Sequence, residues 1–541
     1  MKDPARGFVW TPPNDLQQAQ RDLQRMKKIG AQAVRTTLIQ REPLLTLADT
    51  IGLQFYQELP LNYMAARHLR DTLAYARRLL DRALQRAQGH PSARRFGLAR
   101  RSETSDTLAC AYFRRLAERV RRRGPPGSQA YYLTAFPDTD RCAGAVDFVL
   151  LDALNASGGP VSLLRRWYAP ADTTTPRPPA GLGAVGTRRV ANAESGLRQP
   201  GSAEQQARYL EAALSTLLAD TLRPKPLAVF VYRWNDAAAS SSKLNPAYGL
   251  AGPERYNYGL LGPDGAAHPA FDVARGFFSD GQTTFAFAAG ASPDLPWPWL
   301  IFMAWGVVLL LGLAFAYSRL FQRMVPRYFR ARSFYREAVR EGRASMVGLS
   351  LLLLIVVSLS LGVFGSAALR LISEQNAFVV LVHRLPFVTP EFVMSLLPYP
   401  WLLALVLAGF TAAGLAVWAV FLAVLSLRHY ALNPGQTLIL ALGPRWGYLV
   451  LMTGALVIVT FSHRTALFGM AALTALWVLI VLWGTLRTAN DFRRAAQAPA
   501  WLGGLAALVS PLALLTMAAV VLASADWSGA EFLWHLAARS P

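Results

Sequence analysis

The chain has 541 residues, of which 53% are apolar, and a formal net charge of +22. That length exceeds one ordinary domain. With two cysteines, Cys110 and Cys142, and no Cys/His cluster, neither a zinc centre nor a disulfide-rich scaffold is expected, and no metal or cofactor is implied. In an oxidising compartment the two thiols can form one bridge, although two small buried apolar side chains is the plainer expectation.

From Gly7 to Asp280 short β-rich runs alternate with amphipathic stretches. The runs are Gly7–Trp10, Ala33–Thr36, Leu53–Glu58, Ala93–Leu98, Ala130–Phe136, Val146–Leu151, Pro160–Arg165 and Pro226–Trp234. Helical spacing of apolar residues is clearest over Asp15–Ile29, Ala65–Gln88, Ser105–Arg123 and Ser202–Ala219. Eight such units fit an α/β fold of the (β/α)8 barrel type, and alternation alone also fits a doubly wound sheet. Gly181–Gly186 matches G-x-G-x-x-G, but a Pro/Thr-rich stretch, not a strand, precedes it, so a flexible loop is expected there rather than a phosphate cradle. Arginines crowd the region from Arg77 to Arg123. A nucleic-acid surface is basic in this way, yet solvated faces or contact with lipid headgroups are the simpler reading, and no nucleic-acid partner is expected.

Beyond Pro296 the composition changes. Long apolar runs at Trp297–Ser318, Met346–Leu369, Trp401–Leu427, Trp446–Phe461, Ala466–Leu486 and Trp501–Ala523 approach or reach the roughly 20 residues of a membrane span. The expected division is a barrel over 1–280, a linker over 281–296 and an all-α transmembrane bundle of about six helices over 297–541. Thirteen arginines fall in the loops after the first, third and fifth spans, among them Arg319, Arg336, Arg340, Arg445, Arg487 and Arg493; the opposite loops carry Arg370, Arg384, Arg464 and Arg539. Positive loops stay in the cytoplasm, so the barrel is expected outside, on a multi-pass protein of a bacterial-type inner or plasma membrane. Met1–Trp10 lacks the apolar core of a secretion signal, which predicts either sequence upstream of Met1 or an inverted topology; the recurrence of the charge bias at three loops favours the first. The spans read as nearly free of ionisable residues, unlike a transport path. The layout loosely resembles Yip-type membrane domains.

Several motifs carry a second resemblance. The run Leu23-Gln-Arg-Met-Lys-Lys-Ile-Gly-Ala-Gln-Ala-Val-Arg-Thr-Thr37 resembles the helix and second strand that open the catalytic barrel of family 2 glycoside hydrolases. The likeness continues through Glu42-Pro43, Leu47–Leu53, Gln57-Glu58, His90-Pro91-Ser92, Phe230–Asp236 and Tyr258–Gly265, and so covers most of Gly7–Asp280. It implies a TIM barrel acting on O-glycosidic carbohydrate outside the cytoplasm.

Retaining hydrolysis needs two carboxyl groups about 5 Å apart, one an acid/base and one a nucleophile. On this resemblance the acid/base position, reached from His90-Pro91-Ser92, falls on Arg101, and the nucleophile position, at the end of Pro160–Arg165, falls on Arg165. A guanidinium serves neither role. Glu103, Glu58 and Asp236 are the candidate substitutes; Asp172 is remote in its loop. Arg35, Glu58, Tyr232, Trp234 and Asp236 are the candidate substrate-binding groups, with a structural ion pair as the plain alternative for Arg35 and Glu58 and core packing for Trp234. Three readings remain: a membrane-anchored glycosidase, an inactive relative that binds carbohydrate or scaffolds the envelope, and an accessory to transport or assembly. Its protein partners are not legible.

Overall fold

In a computed structural model the described residues are 3–154, 158–169, 177–190, 193–236, 257–292, 297–319, 321–322, 328, 336–337, 339–340, 347–373, 378, 381–382, 389–461, 463–527, 529, 531–533 and 535. Asp172 and most of the basic stretch 319–343 lie outside them. The chain forms two compact units. One comprises Met1–Leu295, Val379–Arg384 and Ser528–Pro541; the other comprises Pro296–Phe378 and Leu385–Trp527.

In the first unit eight parallel strands close into a barrel in sequence order: β1 (Ala5–Val9), β2 (Ala33–Thr37), β3 (Gln54–Glu58), β4 (Arg95–Arg100), β5 (Gln129–Thr134), β6 (Phe148–Leu154), β7 (Ala180–Gly186) and β8 (Ala228–Val231). The ring closes where β1 pairs with β8, from Ala5↔Ala228 to Phe8↔Val231. Side chains alternate along each strand. One set (Ala33, Tyr56, Tyr131, Leu133, Phe148, Leu150, Ala228 and Phe230) fills the interior. The other, including Val34, Phe55, Tyr132, Val149 and Val229, packs under the helices.

Those helices are α1 (Leu16–Lys28), α2 (Glu42–Ile51), α3 (Ala66–Asp71), α4 (Leu73–Arg86), α5 (Thr107–Arg123), α6 (Gly159–Tyr168), α7 (Ala203–Leu217) and α8 (Pro269–Arg275). Local chemistry sets their ends. Asp15 accepts from the backbone N–H groups of Gln17 and Gln18 to start α1, and Asp106 and Ser202 do the same for α5 and α7. Gly52, at φ 75°, ends α2 in the left-handed conformation that glycine tolerates best. A Cys110–Cys142 disulfide ties α5 to the chain after β5, so the plainer expectation of two free thiols is replaced by a covalent bridge.

Strand seven is not where the sequence reading put it. Pro160–Arg165 lies in α6: Pro160 sits in its first turn, and Pro160, Leu163, Leu164 and Trp167 are buried at helical spacing. The glycine-rich run read as a loop is β7 itself, buried throughout. Its glycines are needed for space. A Cβ on Gly183 would come within 2.3 Å of Leu133, and one on Gly181 within 2.9 Å of the Ala228 carbonyl.

The second unit is helical: α9 (Trp299–Tyr317), α10 (Val347–Ser373), α11 (Pro390–Leu396), α12 (Pro400–Ser426), α13 (Pro434–Leu442), α14 (Gly447–Ile458), α15 (His463–Ala495), α16 (Ala500–Leu508) and α17 (Pro511–Ala525). Among the described residues four helices are long and apolar enough to cross a membrane, or five if α13 and α14, bent by 44°, form one broken span. The stretch expected as a sixth is interrupted at Ser510-Pro511 between α16 and α17, as a proline that cannot donate its N–H would dictate. Small residues bring α10 onto α12, since a Cβ on Gly362 would lie 2.3 Å from the Ala404 carbonyl and 3.0 Å from the Ala408 side chain. Many outward side chains are large and apolar, including Trp305, Phe410, Val417, Phe468 and Leu515.

Candidate functional site

In a barrel of this kind the reactive groups sit at the C-terminal ends of the strands. There the interior changes from aromatic packing to charge. On β2, Arg35 follows Ala33 inward. On β3, Glu58 follows Tyr56. On β6, Asp152 follows Leu150. Arg101 leaves the end of β4 at φ 49°, and its N–H donates 2.7 Å to the Leu133 carbonyl, which turns the side chain into the ring.

These groups form two ion pairs. Arg35 Nε donates 2.7 Å to Glu58 Oε1 and its Nη1 donates to the Gly183 carbonyl. Arg101 donates through Nε and Nη2 to the two oxygens of Asp152, a bidentate fork. Tyr131 contributes a hydroxyl 3.4 Å from Glu58, and Arg100 lies 3.9 Å from the same carboxylate. Both guanidiniums are 1% exposed. Burial pulls the pKa of each down, but the paired carboxylates outweigh it and the net direction is up, strongly so for Arg101. The Tyr131 phenol is pushed well up by burial and by Glu58, so it remains a neutral donor. Gly97 makes room for this set, since a Cβ there would meet Glu58 and Tyr131 within 3 Å.

The remaining candidates are placed as follows. Asp236 accepts from the N–H groups of Tyr258 and Gly259 at 2.8 and 2.7 Å and from Arg189 Nη2 at 2.5 Å, so it organises the chain after β8. Burial outweighs Asp236 at Arg189, whose pKa moves down. Tyr232 is 4% exposed, packs edge-on against Tyr258, and feels the charge of Arg101. Trp234 is fully buried between Phe8 and Phe271, on the helix side of the barrel wall. Arg165 is exposed on α6 and ends no strand. Strand seven ends at Gly186 and continues Thr187-Arg188-Arg189, without a carboxylate.

Glu103 has a different setting. It accepts from the Ala66 N–H at 3.1 Å and lies 3.4 Å from His535 Nδ1. With Ser105, Asp106, Thr107, Thr139, Arg141, Glu531 and His535 it lines a recess of about 350 Å³ next to the disulfide. Among the described residues no group of three or more His, Cys, Asp or Glu side chains is arranged to hold a metal.

Two members of this site escaped the sequence reading. Asp152 stood just past the run Val146–Leu151, although the inward period of Phe148 and Leu150 points to it. Arg189 stood in a segment that was read as following a loop rather than a strand.

No protein-family model matches the chain, and no curated relative matches it. Solved structures do. Similar folds include a GH2 β-galacturonidase from Eisenbergiella tayi bound to galacturonate (16% identity, TM-score 0.44, 52% of each chain). A β-D-glucuronidase from Dictyoglomus thermophilum is similar at 18% identity and TM-score 0.43, again over 52% of each chain. A β-glucuronidase from Ruminococcus gnavus in complex with C6-substituted uronic isofagomine matches at 18% identity and TM-score 0.43, over 51% of this chain and 50% of that one. The chain thus spans about half the length of these structures.

Proposed function

We propose that this protein is a membrane-anchored, glycosidase-like barrel that recognises carbohydrate outside the cytoplasm without hydrolysing it by the retaining route. One observation carries the reading: the carboxylates that face the barrel mouth, Glu58 and Asp152, are each neutralised by a buried guanidinium. An acid/base must trade a proton, and a nucleophile needs a free lone pair. Asp152, held by the two-pronged Arg101, and Glu58, held by Arg35 Nε, offer neither readily. The recess beside Glu103, rich in carboxylate and hydroxyl groups, suits the hydroxyls of a sugar.

Two features support the orientation. Disulfides persist in oxidising compartments, and Cys110–Cys142 is formed. The arginine-rich loops then fall on the cytoplasmic side.

The test uses the full chain in mild detergent, with a panel of aryl glycosides that includes uronides, beside glycan-array binding. Binding without turnover is expected. A second reading, hydrolysis through Glu103, is favoured by the opening of that carboxylate to a recess. Turnover lost in Glu103→Gln would establish it and defeat the first.

A further inference from the structure

We infer that the helical unit holds a binding site for a phosphate group, built around Arg445 at the break between α13 and α14. The sequence reading treated Arg445 as a cytoplasmic loop residue and the spans as nearly free of charge. Arg445 is instead 0% exposed. Its guanidinium lies 5.1 Å over the Trp418 ring, donates to the Ala441 carbonyl at the end of α13, and reaches Thr488 at 3.5 Å. Nε and Nη2 make no hydrogen bond of ordinary length among the described residues, although the Tyr448 hydroxyl interacts with the guanidinium. The charged or polar groups that act on it electrostatically are phenols, Tyr448 and Tyr328, not a carboxylate.

The surroundings add positive charge. Arg487 precedes Thr488 on α15 and stacks over Tyr328 at 4.5 Å and Trp483 at 4.8 Å. One turn further, Asp491 serves two arginines, Arg336 at 3.4 Å and Arg487 at 3.8 Å. Among the described residues, Arg336 and Arg487 share one carboxylate, Asp491, while Arg445 has none, a surplus of two positive charges. Arg487 Nε makes no hydrogen bond of ordinary length beyond its 3.8 Å approach to Asp491. On the neighbouring helix start, Gln436 Nε2 donates to the Val339 and Arg340 carbonyls.

A buried cation without a counter-charge is strongly unfavourable, more so at membrane depth. An acceptor-only dianion or monoanion relieves both deficits, and a guanidinium fork matches the oxygens of a phosphate. Such a group can come from an anionic phospholipid or from a soluble phosphate, and the test separates them.

The full chain is purified in dodecyl maltoside, stripped of lipid, and its Tm followed with phosphatidylglycerol, with dioleoylglycerol, with inorganic phosphate, and with sodium chloride at matched ionic strength. We expect a rise of about 5 °C at saturation, with a midpoint concentration raised at least tenfold in Arg445→Gln and in Arg487→Gln. A response to phosphatidylglycerol alone assigns a lipid headgroup; a response to inorganic phosphate assigns a soluble ligand. Should Arg445→Gln fail to fold, Arg487→Gln decides alone. No rise with either phosphate source, an equal rise with chloride or dioleoylglycerol, or an unchanged midpoint in the folded variants overturns the site.

Discussion

The two units treat buried arginine in opposite ways. In the barrel three guanidiniums each have their own carboxylate: Arg35 has Glu58, Arg101 has Asp152, and the half-buried Arg189 has Asp236, while the buried Arg233 donates to the Asn235 carbonyl. In the helical unit Arg445 has an aromatic ring, a carbonyl and a hydroxyl, but no carboxylate among the described residues. The first arrangement is closed and neutral, which suits a scaffold whose interior no longer exchanges protons. The second is unbalanced, and imbalance in a low-dielectric interior calls for a ligand.

The largest test of that contrast removes one barrel partner. Asp152→Asn should cost about 3–5 kcal/mol by leaving Arg101 buried and uncompensated, measured by chemical denaturation of the full chain. The double change Arg101→Met with Asp152→Leu should recover most of it, because apolar packing replaces a buried pair at little net cost. A single mutant as stable as the parent would mean that Arg101 reaches water. Next in size is the disulfide. Its sequence separation is 32 residues, and closing a loop of that size stabilises by about 3–4 kcal/mol in the chain-entropy description. Cys110→Ser with Cys142→Ser should therefore lower the barrel transition in a thermal melt and leave any transition of the helical unit in place.

A subtler change probes the helical unit. Asp491→Asn leaves three guanidiniums with no carboxylate, so the phosphate midpoint should fall several-fold. An unchanged midpoint would place Asp491 outside the cluster's field. The smallest effect concerns pH. Burial, and then Arg189, push the His268 imidazole below its ordinary 6.5. The unfolded chain then takes up a proton at a pH where the folded chain does not. The stability His268 contributes is present above pH 6.5, declines as pH falls below it, and is fully lost below the folded pKa. His268→Gln should flatten the stability profile below about pH 6.5.

Most of this architecture is legible in the residues. Strong β-rich runs marked seven strands, because their inward and outward sets are both apolar. Strand seven was missed because its interior has no room for side chains, so Gly181–Gly186 lacks the bulky signature of a strand. Pro160–Arg165 took its place because a short apolar run does not declare its period; the helical spacing emerges only when Trp167 is included. The ion pairing of Arg35 with Glu58 was one of the two readings open from sequence. The partnership of Arg101 with Asp152 was not, since it joins β4 to β6 across the ring. Arg445 was hidden for another reason: a loop cation and a cation in a broken helix look alike until the helices are packed.

The fit between Gly183 and Leu133 reaches beyond this chain. The two positions share one fixed volume, with Arg35 anchored to the Gly183 carbonyl beside it. A drifting lineage cannot enlarge position 183 unless position 133 shrinks in step. Aligned relatives should therefore show a see-saw in size between these two columns. Where position 183 has gained a side chain and position 133 has not lost one, the guanidinium at position 35 should have lost its lodging and changed as well.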